Sequence, residues 1–384
     1  MTSCIRGDTC VKTRVYKVAG VVLVLVAVLL SSLALVLSYN ASCEPPPSLA
    51  SGTQPMKAIV SRCYGSPDVL ELADIAKPTV ADNEVLVRVH AASVNPLDWH
   101  YMRGSPYIMR MDSGVGRPKD VRVGVDFAGT VEAVGEKVTR FRAGDEVFGG
   151  RSGAFAEYVT VADDRAIVLK PPGITFEQAA AVPIAGVTAL QALRDKGQIK
   201  ARQKVLINGA SGGVGTFAVQ IAKAFGAEVT GVCSTRNLEM VRSLGADHVI
   251  DYTKEDFIES GERYDLIIDN VGNRSLLAYR HVLNPDGIFV IVGGTKGDWV
   301  GPFANAIKAL LFAPFLDQEF ALFLASLNQE DLGILGDLMK AGNVTPVIDR
   351  RYPLNEAAAA MRYSEEGHAR GKIIIAVAQD RAAN

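Results

Sequence analysis

Residues 208–215 read Asn-Gly-Ala-Ser-Gly-Gly-Val-Gly, between a strand-like run at 205–207 and a helix-like run at 214–225. Glycines at such a junction let a diphosphate approach bare backbone N–H groups at the N-terminus of a helix. The helix dipole and the unpaired donors there favour negative charge. The stretch therefore predicts a strand–turn–helix unit that binds a cofactor containing a diphosphate.

The residues that follow strengthen this interpretation. Apolar side chains recur at helical spacing up to Phe225, Gly226 ends the run, and a second strand-like segment occupies 228–233. The whole unit has the length of about thirty residues that the dinucleotide-binding fingerprint requires. Ala210 replaces the first glycine of the fingerprint, and a bare connecting turn is the alternative.

The end of the second strand discriminates between cofactors. NAD sites place an acid there for the ribose 2′-hydroxyl, whereas NADP sites place a basic residue near the 2′-phosphate. This chain has Ser234-Thr235-Arg236-Asn237 and no acid. Ser234 can donate a hydrogen bond and Arg236 can make a charged, bidentate contact with phosphate. NADPH is therefore the predicted cofactor; the alternative is a solvated Arg236 that caps the next helix.

Composition excludes some classes of function. The chain has 384 residues, enough for two domains, and its net charge is −2 from 40 basic and 42 acidic residues. No basic block interrupts the body, so nucleic acid is not expected as a partner.

The first 55 residues differ from the rest. Residues 18–39 carry no charge and can cross a bilayer as a helix. A retained single-pass anchor is the preferred interpretation, with a cleaved signal or a buried core helix as alternatives. The predicted segments are a basic tail (1–17), a transmembrane helix (18–39), a Pro/Ser-rich linker (40–55) and a C-terminal tail (379–384).

The flanking charges and the predicted cofactor disagree about the side of the membrane on which the body lies. Basic residues before the helix place the N-terminus in the cytoplasm and the body outside, where NADPH is scarce. Of five cysteines only Cys63 and Cys233 lie in the body, so no disulfide framework is expected. The cofactor thus favours a body in a reducing, cytoplasmic compartment.

Two patterns divide the body. Short strands with glycine turns precede the glycine loop and predict a partly open β-barrel. Strands and helices alternate after it, which predicts a doubly wound parallel sheet. The expected strands are 56–62, 84–89, 121–134, 147–148, 156–161, 205–207, 228–233, 248–250, 266–268, 288–292, 346–348 and, returning to the barrel, 372–377.

In this body, ordered motifs resemble the medium-chain dehydrogenase/reductase superfamily, and within it the zinc-independent quinone oxidoreductases. The resemblance implies a GroES-like domain (56–185, with 349–378 returning to it), a Rossmann domain that binds NADPH (186–348) and an active site between them. The motifs are residues 93–98, 124–129, 144–147, 181–183, 186–189, 208–215 and 371–372.

The resemblance also bears on metal. Zinc members have Cys where this chain has Asn95, and His-Glu where it has Val125-Asp126. Their structural zinc uses four clustered cysteines, and none occurs between Cys63 and Cys233. Without thiolate and imidazole donors no zinc site is expected.

Hydride transfer without zinc favours an acceptor that is already electron-poor, such as a quinone or an α,β-unsaturated carbonyl. The oxyanion that forms needs hydrogen-bond donors and a proton. The candidate catalytic residues are Asn95, Tyr101 and Tyr107; Tyr107 is the nearest match to the proton donor of related enoyl reductases, and water is the alternative source. An enoyl-thioester reductase with an acyl channel at 309–316, and a non-catalytic NADPH sensor at a membrane, remain alternatives.

The family pattern also implies the cofactor contacts. Thr188 would approach the nicotinamide, Ser234 and Arg236 the 2′-phosphate, and Gly371 and Lys372 would close over the cofactor. A homodimer that extends the sheet at 288–292 is also expected. The full set of cofactor residues is Thr188, Ser211, Gly212, Gly213, Val214, Gly215, Ser234, Arg236, Tyr252, Asn270, Gly293, Gly371 and Lys372.

Overall fold

The computed structural model describes residues 6–46, 48–294, 297–299, 301, 307 and 318–377, with side chains from Tyr16 onward. A long N-terminal helix precedes a body built on two large sheets. The α-helices are α1 Arg6–Ser38, α2 Pro96–Arg103, α3 Arg110–Ser113, α4 Phe176–Ala180, α5 Pro183–Gln191, α6 Gly213–Ala224, α7 Leu238–Ser243, α8 Leu276–Val282, α9 Gln329–Lys340 and α10 Ala357–Glu366.

The strands form three sheets in the described residues. Two of these sheets are large, and the third pairs β1 with β2. The strands are β1 Pro55–Ser61, β2 Leu70–Ala76, β3 Glu84–Val94, β4 Asp126–Val134, β5 Glu146–Gly150, β6 Tyr158–Ala162, β7 Ile167–Leu169, β8 Lys204–Asn208, β9 Glu228–Cys233, β10 His248–Asp251, β11 Tyr264–Asp269, β12 Leu283–Ile291, β13 Glu319–Leu322, β14 Ile348–Pro353 and β15 Lys372–Ala376.

The six-stranded sheet has the order β10-β9-β8-β11-β12-β13, and all its pairs are parallel. Val205, Leu206 and Ile207 are fully buried, as the central strand of a sheet covered on both faces requires. The prediction of a doubly wound parallel sheet is confirmed. The predicted strand at 346–348 is wrong for this sheet, because its last residue, Ile348, begins β14 and pairs with β15 in the other sheet.

The edge of this sheet also differs from the expectation. Residues 288–291 belong to β12, which lies between β11 and β13. Since both sides of β12 are paired, it cannot extend the sheet into a second subunit. Among the described residues β13 is the outer strand on that side, so the predicted dimer contact at 288–292 is wrong.

The seven-stranded sheet has the order β14-β15-β3-β4-β5-β7, with β6 also paired to β3. Strand β15 returns to it, pairing antiparallel with β3 so that Ile374 faces Ser93. This return confirms the sequence prediction. Phe148 from this sheet packs in one core with Leu190 and Phe217 from the nucleotide-binding half, so the two halves are joined by a continuous apolar interior.

Helix α1 stands apart from this core. Its segment Tyr16–Ser38 has a mean hydropathy of 3.0 and is long enough to cross a membrane. All side chains from 16 to 33 are exposed, which contradicts the buried core helix. The helix is therefore a candidate membrane anchor.

The linker after α1 is bonded to the body. Cys43 and Cys63 form a disulfide, with 4.6 Å between their Cα atoms. The expectation of no disulfide was wrong because it counted Cys63 without a partner in the linker.

Candidate functional site

The glycine loop joins β8 to α6. Gly209 has φ +78°, in the region that favours glycine, and Gly212 is the N-cap of α6. A Cβ atom at Gly215 would lie 2.1 Å from the carbonyl oxygen of Gly209, so only glycine allows this packing. The first N–H groups of α6 have no intrahelical partners, which makes the loop a site for anionic groups.

Asn237 connects the glycine loop to the end of β9. Its Nδ2 donates to Ser211 Oγ at 3.0 Å and to Ser234 Oγ at 3.1 Å. Arg236 is exposed beside it and donates from Nη2 to the carbonyl oxygen of His368 at 2.7 Å. Tyr252 is 54% exposed and follows β10. The predicted 2′-phosphate residues therefore lie at the ends of the neighbouring strands β9 and β10. Asn237 also lies there, and the sequence did not reveal its contacts.

The end of β11 supplies Asn270. Its Nδ2 donates to the carbonyl oxygen of Asn208 at 3.0 Å, and a Cβ atom at Gly293 would lie 2.1 Å from the carbonyl oxygen of Asn270. Thr188, on α5, donates from Oγ1 to the carbonyl oxygen of Ile184 at 2.6 Å. Asn270 and Gly293 thus lie at the carboxyl ends of neighbouring strands, where open α/β sheets bind ligands.

These residues fit a dinucleotide. The Oδ1 atoms of Asn237 and Asn270 are buried, and neither has a hydrogen-bond partner among the described residues. Buried acceptors are normally satisfied, and the hydroxyl and amide groups of a dinucleotide are donors of the required kind.

Lys372 differs from its predicted role. Its Nζ donates to the carbonyl oxygen of Val94 at 3.2 Å and to the side-chain oxygen of Asn95. Only its side-chain carbons approach the glycine loop, since a Cβ atom at Gly213 would lie 3.2 Å from its Cδ. The ammonium group is therefore directed into the barrel domain, where its partners are Val94, Asn95 and Asp126. Gly371 does contact the loop, because its N–H donates to the carbonyl oxygen of Ser211 at 2.9 Å.

Asn95 lies in a buried polar cluster with Lys372 and Asp126. Asn95 Nδ2 donates to Asp126 Oδ2 at 2.9 Å, and Ser93 Oγ donates to the same oxygen at 2.9 Å. The Lys372 ammonium lies 3.5 Å from that oxygen. Both the amide nitrogen and the amide oxygen of Asn95 are thus bonded to protein groups. Among the described residues, no three His, Cys, Asp or Glu side chains are grouped so that they could hold a metal ion.

Burial controls ionisation in this cluster. Burial raises the pKa of the Asp126 carboxyl, although the Lys372 charge opposes the rise, and burial lowers the pKa of Lys372. Asp98 accepts a hydrogen bond from the backbone N–H of Asn95 at 2.7 Å. Burial raises the pKa of Asp98 to about 7, with a further contribution from the Asp126 charge. The protonation of Asp98 therefore changes near neutral pH.

A cavity of about 350 Å³ lies beside this cluster. Leu97, Asp98, Tyr101 and Val125 are among the residues that line it. Burial raises the pKa of the Tyr101 hydroxyl, so it stays protonated at neutral pH. Tyr101, one of the candidate catalytic residues, therefore lines a cavity.

Tyr107 is not among the residues lining this cavity. Its ring meets Trp299 edge-on, with 4.9 Å between centroids, and the Arg110 guanidinium lies 4.5 Å from its centroid. Its backbone N–H donates to the carbonyl oxygen of Asp298 at 2.8 Å. The structure therefore does not bring the two candidate tyrosines to one place. The predicted acyl-channel segment, 309–316, lies outside the described residues.

Two family models match the chain. The alcohol dehydrogenase GroES-like domain matches residues 81–172, and the zinc-binding dehydrogenase model matches residues 244–375. The "chloroplast envelope quinone oxidoreductase homolog" of Arabidopsis thaliana is 34% identical over 337 residues, which are 83% of this chain and 98% of the relative. The "NADPH-dependent alkenal/one oxidoreductase, chloroplastic" of the same plant is 34% identical, over 85% of this chain and 81% of the relative.

A solved structure has the same fold. Escherichia coli quinone oxidoreductase complexed with NADPH matches with a TM-score of 0.73 and 25% identity, over 84% of this chain and 100% of that chain. The match covers the body and therefore includes both sheets and the glycine loop between them.

Proposed function

The chain belongs to the zinc-independent, quinone oxidoreductase-like medium-chain dehydrogenases/reductases, and we propose that it transfers hydride from NADPH to a quinone or an α,β-unsaturated carbonyl. The family consists of NAD(P)H-dependent oxidoreductases. The observation that carries the proposal is the glycine loop beside two buried acceptors, Asn237 Oδ1 and Asn270 Oδ1, which have no hydrogen-bond partner among the described residues. A hydrogen bond from the backbone N–H of Gly371 to the carbonyl oxygen of Ser211 joins the loop to the barrel domain, which contains the cavity.

The choice of NADPH rests on the end of β9. Ser234 and Arg236 occupy the position where NAD enzymes place an acid. The Arg236 side chain is exposed and already close to Ser234 along the chain, so it can meet a 2′-phosphate without burying its charge. One of its Nη atoms bonds a backbone carbonyl, and the remaining donors of the guanidinium can serve a phosphate.

Bound nicotinamide would supply the hydride, and the protein would position the acceptor and deliver the proton. Asn95 has a positioning role here, because its amide is held by Lys372 on one side and by Asp126 on the other. Its backbone N–H is bonded to Asp98, which fixes the first turn of α2. The cluster therefore fixes the start of α2, the helix that carries Tyr101.

Tyr101 is the better-placed proton donor. It lines the cavity with Asp98, and its raised pKa keeps the hydroxyl protonated until a stronger base forms nearby. The oxyanion left after hydride transfer to an enone is such a base. Tyr107 instead packs on Trp299 and Arg110.

Helix α1 completes the proposal as a single-pass anchor. Its exposed apolar side chains would contact lipid. A cleaved signal makes the opposite prediction, so N-terminal sequencing of the mature protein separates the two: an intact segment 18–39 supports the anchor, and its absence refutes it.

The activity is tested with the purified full-length protein in detergent. NADPH oxidation would be followed with a quinone, an enone and an enoyl thioester. The proposal predicts turnover with the first two, and tight NADPH binding with no turnover on any acceptor would refute it. Tyr101→Phe should slow enone reduction about 100-fold or more, whereas Tyr107→Phe, a matched loss of one hydroxyl, should slow it much less.

A further inference from the structure

The last turn of α1 is bound to the barrel domain. Leu37 is 3% exposed, in contrast to the exposed side chains before it. Arg110 donates from Nη1 to the carbonyl oxygens of Leu37 and Tyr39, at 2.8 and 2.9 Å. The last carbonyls of a helix lack intrahelical partners, and a cation there is favourable. Arg110 thereby fixes the end of the anchor to the body.

The chain after α1 stays on the same surface. Ala41 donates from its backbone N–H to the carbonyl oxygen of Gly116 at 2.9 Å, and Arg117 forms an ion pair with Glu44. The disulfide from Cys43 to Cys63 adds a covalent link. No flexible tether therefore separates the described end of the anchor from residues 104–117.

The bilayer boundary follows from the length of the span. Tyr16–Ser38 has 23 residues and covers about 34 Å as a helix, against a hydrocarbon core of about 30 Å. Ser38 must then lie close to the polar boundary of the membrane. Residues that contact the last turn, such as Arg110, must lie within a few ångströms of that boundary.

The surface around Arg110 carries exposed apolar and aromatic side chains, together with the exposed charged residues Arg103 and Asp112. Ile108, Met111 and Val115 are 48%, 62% and 50% exposed, and Tyr101 is 41% exposed. Trp299 is 44% exposed and contacts Tyr107. Single exposed apolar residues are normal, but here they occur within one short segment beside the end of an apolar span. Tyrosine and tryptophan are enriched at membrane–water boundaries.

We propose that this membrane face, residues 101–115 with Trp299, rests on the bilayer, and that the cavity receives an apolar acceptor directly from the lipid phase. Tyr101, Asp112 and Ser113 belong to the same segment and line the cavity. An acceptor with a long hydrocarbon tail would keep the tail in the lipid while its electron-poor head enters beside Asp98. The second part of this inference rests on the proposed function; the membrane face does not.

The membrane face is tested without activity. The chain has two tryptophans, so Trp99→Phe leaves Trp299 as the fluorophore and Trp299→Phe leaves Trp99. Each variant of the full-length protein would be placed in nanodiscs of phosphatidylcholine with or without brominated acyl chains. We expect brominated lipid to quench Trp299 several-fold more than the half-buried Trp99. Equal quenching of Trp299 and Trp99, or no quenching of Trp299, would contradict the contact of the membrane face with lipid.

Entry from the lipid is tested by kinetics in liposomes. Met111→Asp places a charge on the membrane face, and Leu277→Asp is the matched control because Leu277 is 55% exposed on α8. We expect Met111→Asp to raise the KM for a long-tailed quinone several-fold and to leave kcat/KM for a short, water-soluble quinone unchanged, with no effect of Leu277→Asp. Equal KM changes for both quinones, or none, would overturn lipid entry. Absence of turnover in the unmodified protein would refute the proposed function, and the quenching experiment would still decide the membrane face.

Discussion

Lys372 and Asn95 are 277 residues apart in the chain, and the Lys372 ammonium donates a hydrogen bond to the Asn95 side-chain oxygen. Lys372 begins β15, and Asn95 follows β3. The contact therefore depends on β15 returning to the barrel sheet beside β3. Because the carbons of Lys372 also lie against the glycine loop, this one side chain contacts both that loop and Asn95.

Removal of the Lys372 charge should destabilise the body. Lys372→Met leaves the Asp126 carboxylate buried without its cation, and breaking such a pair costs about 3–5 kcal/mol. Urea unfolding of the detergent-solubilised protein measures the loss in the free energy of unfolding. The double variant Lys372→Met/Asp126→Asn should lose less than Lys372→Met alone. A larger loss in the double variant would contradict the paired arrangement.

Arg236→Ala should weaken NADPH binding about 10- to 100-fold, since a hydrogen bond to a charged group contributes about 1.5–3 kcal/mol. NADH, which lacks the 2′-phosphate, should bind almost as before. Calorimetry with both nucleotides measures the two dissociation constants. Arg142→Ala is the control, because the Arg142 side chain is 90% exposed and lies in the β4–β5 turn. Equal loss of both nucleotides would refute the assignment of Arg236 to the 2′-phosphate.

The contribution of the Asp98 carboxyl to stability should fall as pH rises from about 4 to about 7. The pKa of Asp98 is about 7 in the folded protein and near 3.8 otherwise, so only the folded state holds this proton in that window. Each added pH unit then costs up to about 1.4 kcal/mol of unfolding free energy. Urea titrations at several pH values measure the slope. Asp98→Asn should flatten it, while Asp82→Asn, at an exposed acid, should leave it unchanged; an unaltered slope in Asp98→Asn would contradict the buried, protonated state.

The body should lie outside the cytoplasm, with the N-terminus on the cytoplasmic side of the membrane. Basic residues precede the span, among them Lys12, Arg14 and Lys17, and the Cys43–Cys63 disulfide needs an oxidising compartment. A reporter fused after Asn384 should therefore be active outside the cytoplasm. Alkylation without reductant should spare Cys43 and Cys63. A cytoplasmic reporter together with two alkylated cysteines would show that the cofactor, and not the charge pattern, predicts the topology.

The fold was predictable where local chemistry decides it. The glycines at 208–215 favour a tight turn between a strand and a helix, and an apolar run such as 205–207 is typical of a strand buried on both faces. The sequence did not reveal β13, because apolar and polar residues alternate only weakly at 319–322. It also did not show where Ile348 lies, because a short apolar run does not indicate which sheet it joins. Edge strands and crossovers depend on tertiary pairing that no local pattern contains.

For the candidate site, local sequence predicts only those residues whose position next to a strand end indicates a role. Ser234 and Arg236 follow from their position at a strand end. Asn237 was missed because its role is to hydrogen-bond Ser211 across the fold. The direction of Lys372 depends on a long-range partner, and the Cys43–Cys63 bond joins residues whose approach depends on how the linker docks. These contacts emerge only when the two halves of the chain are placed together.

The most direct test of hydride transfer uses NADPH that carries deuterium at both C4 positions of the nicotinamide. The full-length protein would reduce an α,β-unsaturated ketone in ordinary water, and mass spectrometry would locate the label in the product. The account predicts one deuterium at the β-carbon and an unlabelled α-carbon, because the second hydrogen comes from an exchangeable donor such as Tyr101. A reduced product without deuterium, or failure of any enone or quinone to oxidise bound NADPH, would contradict it.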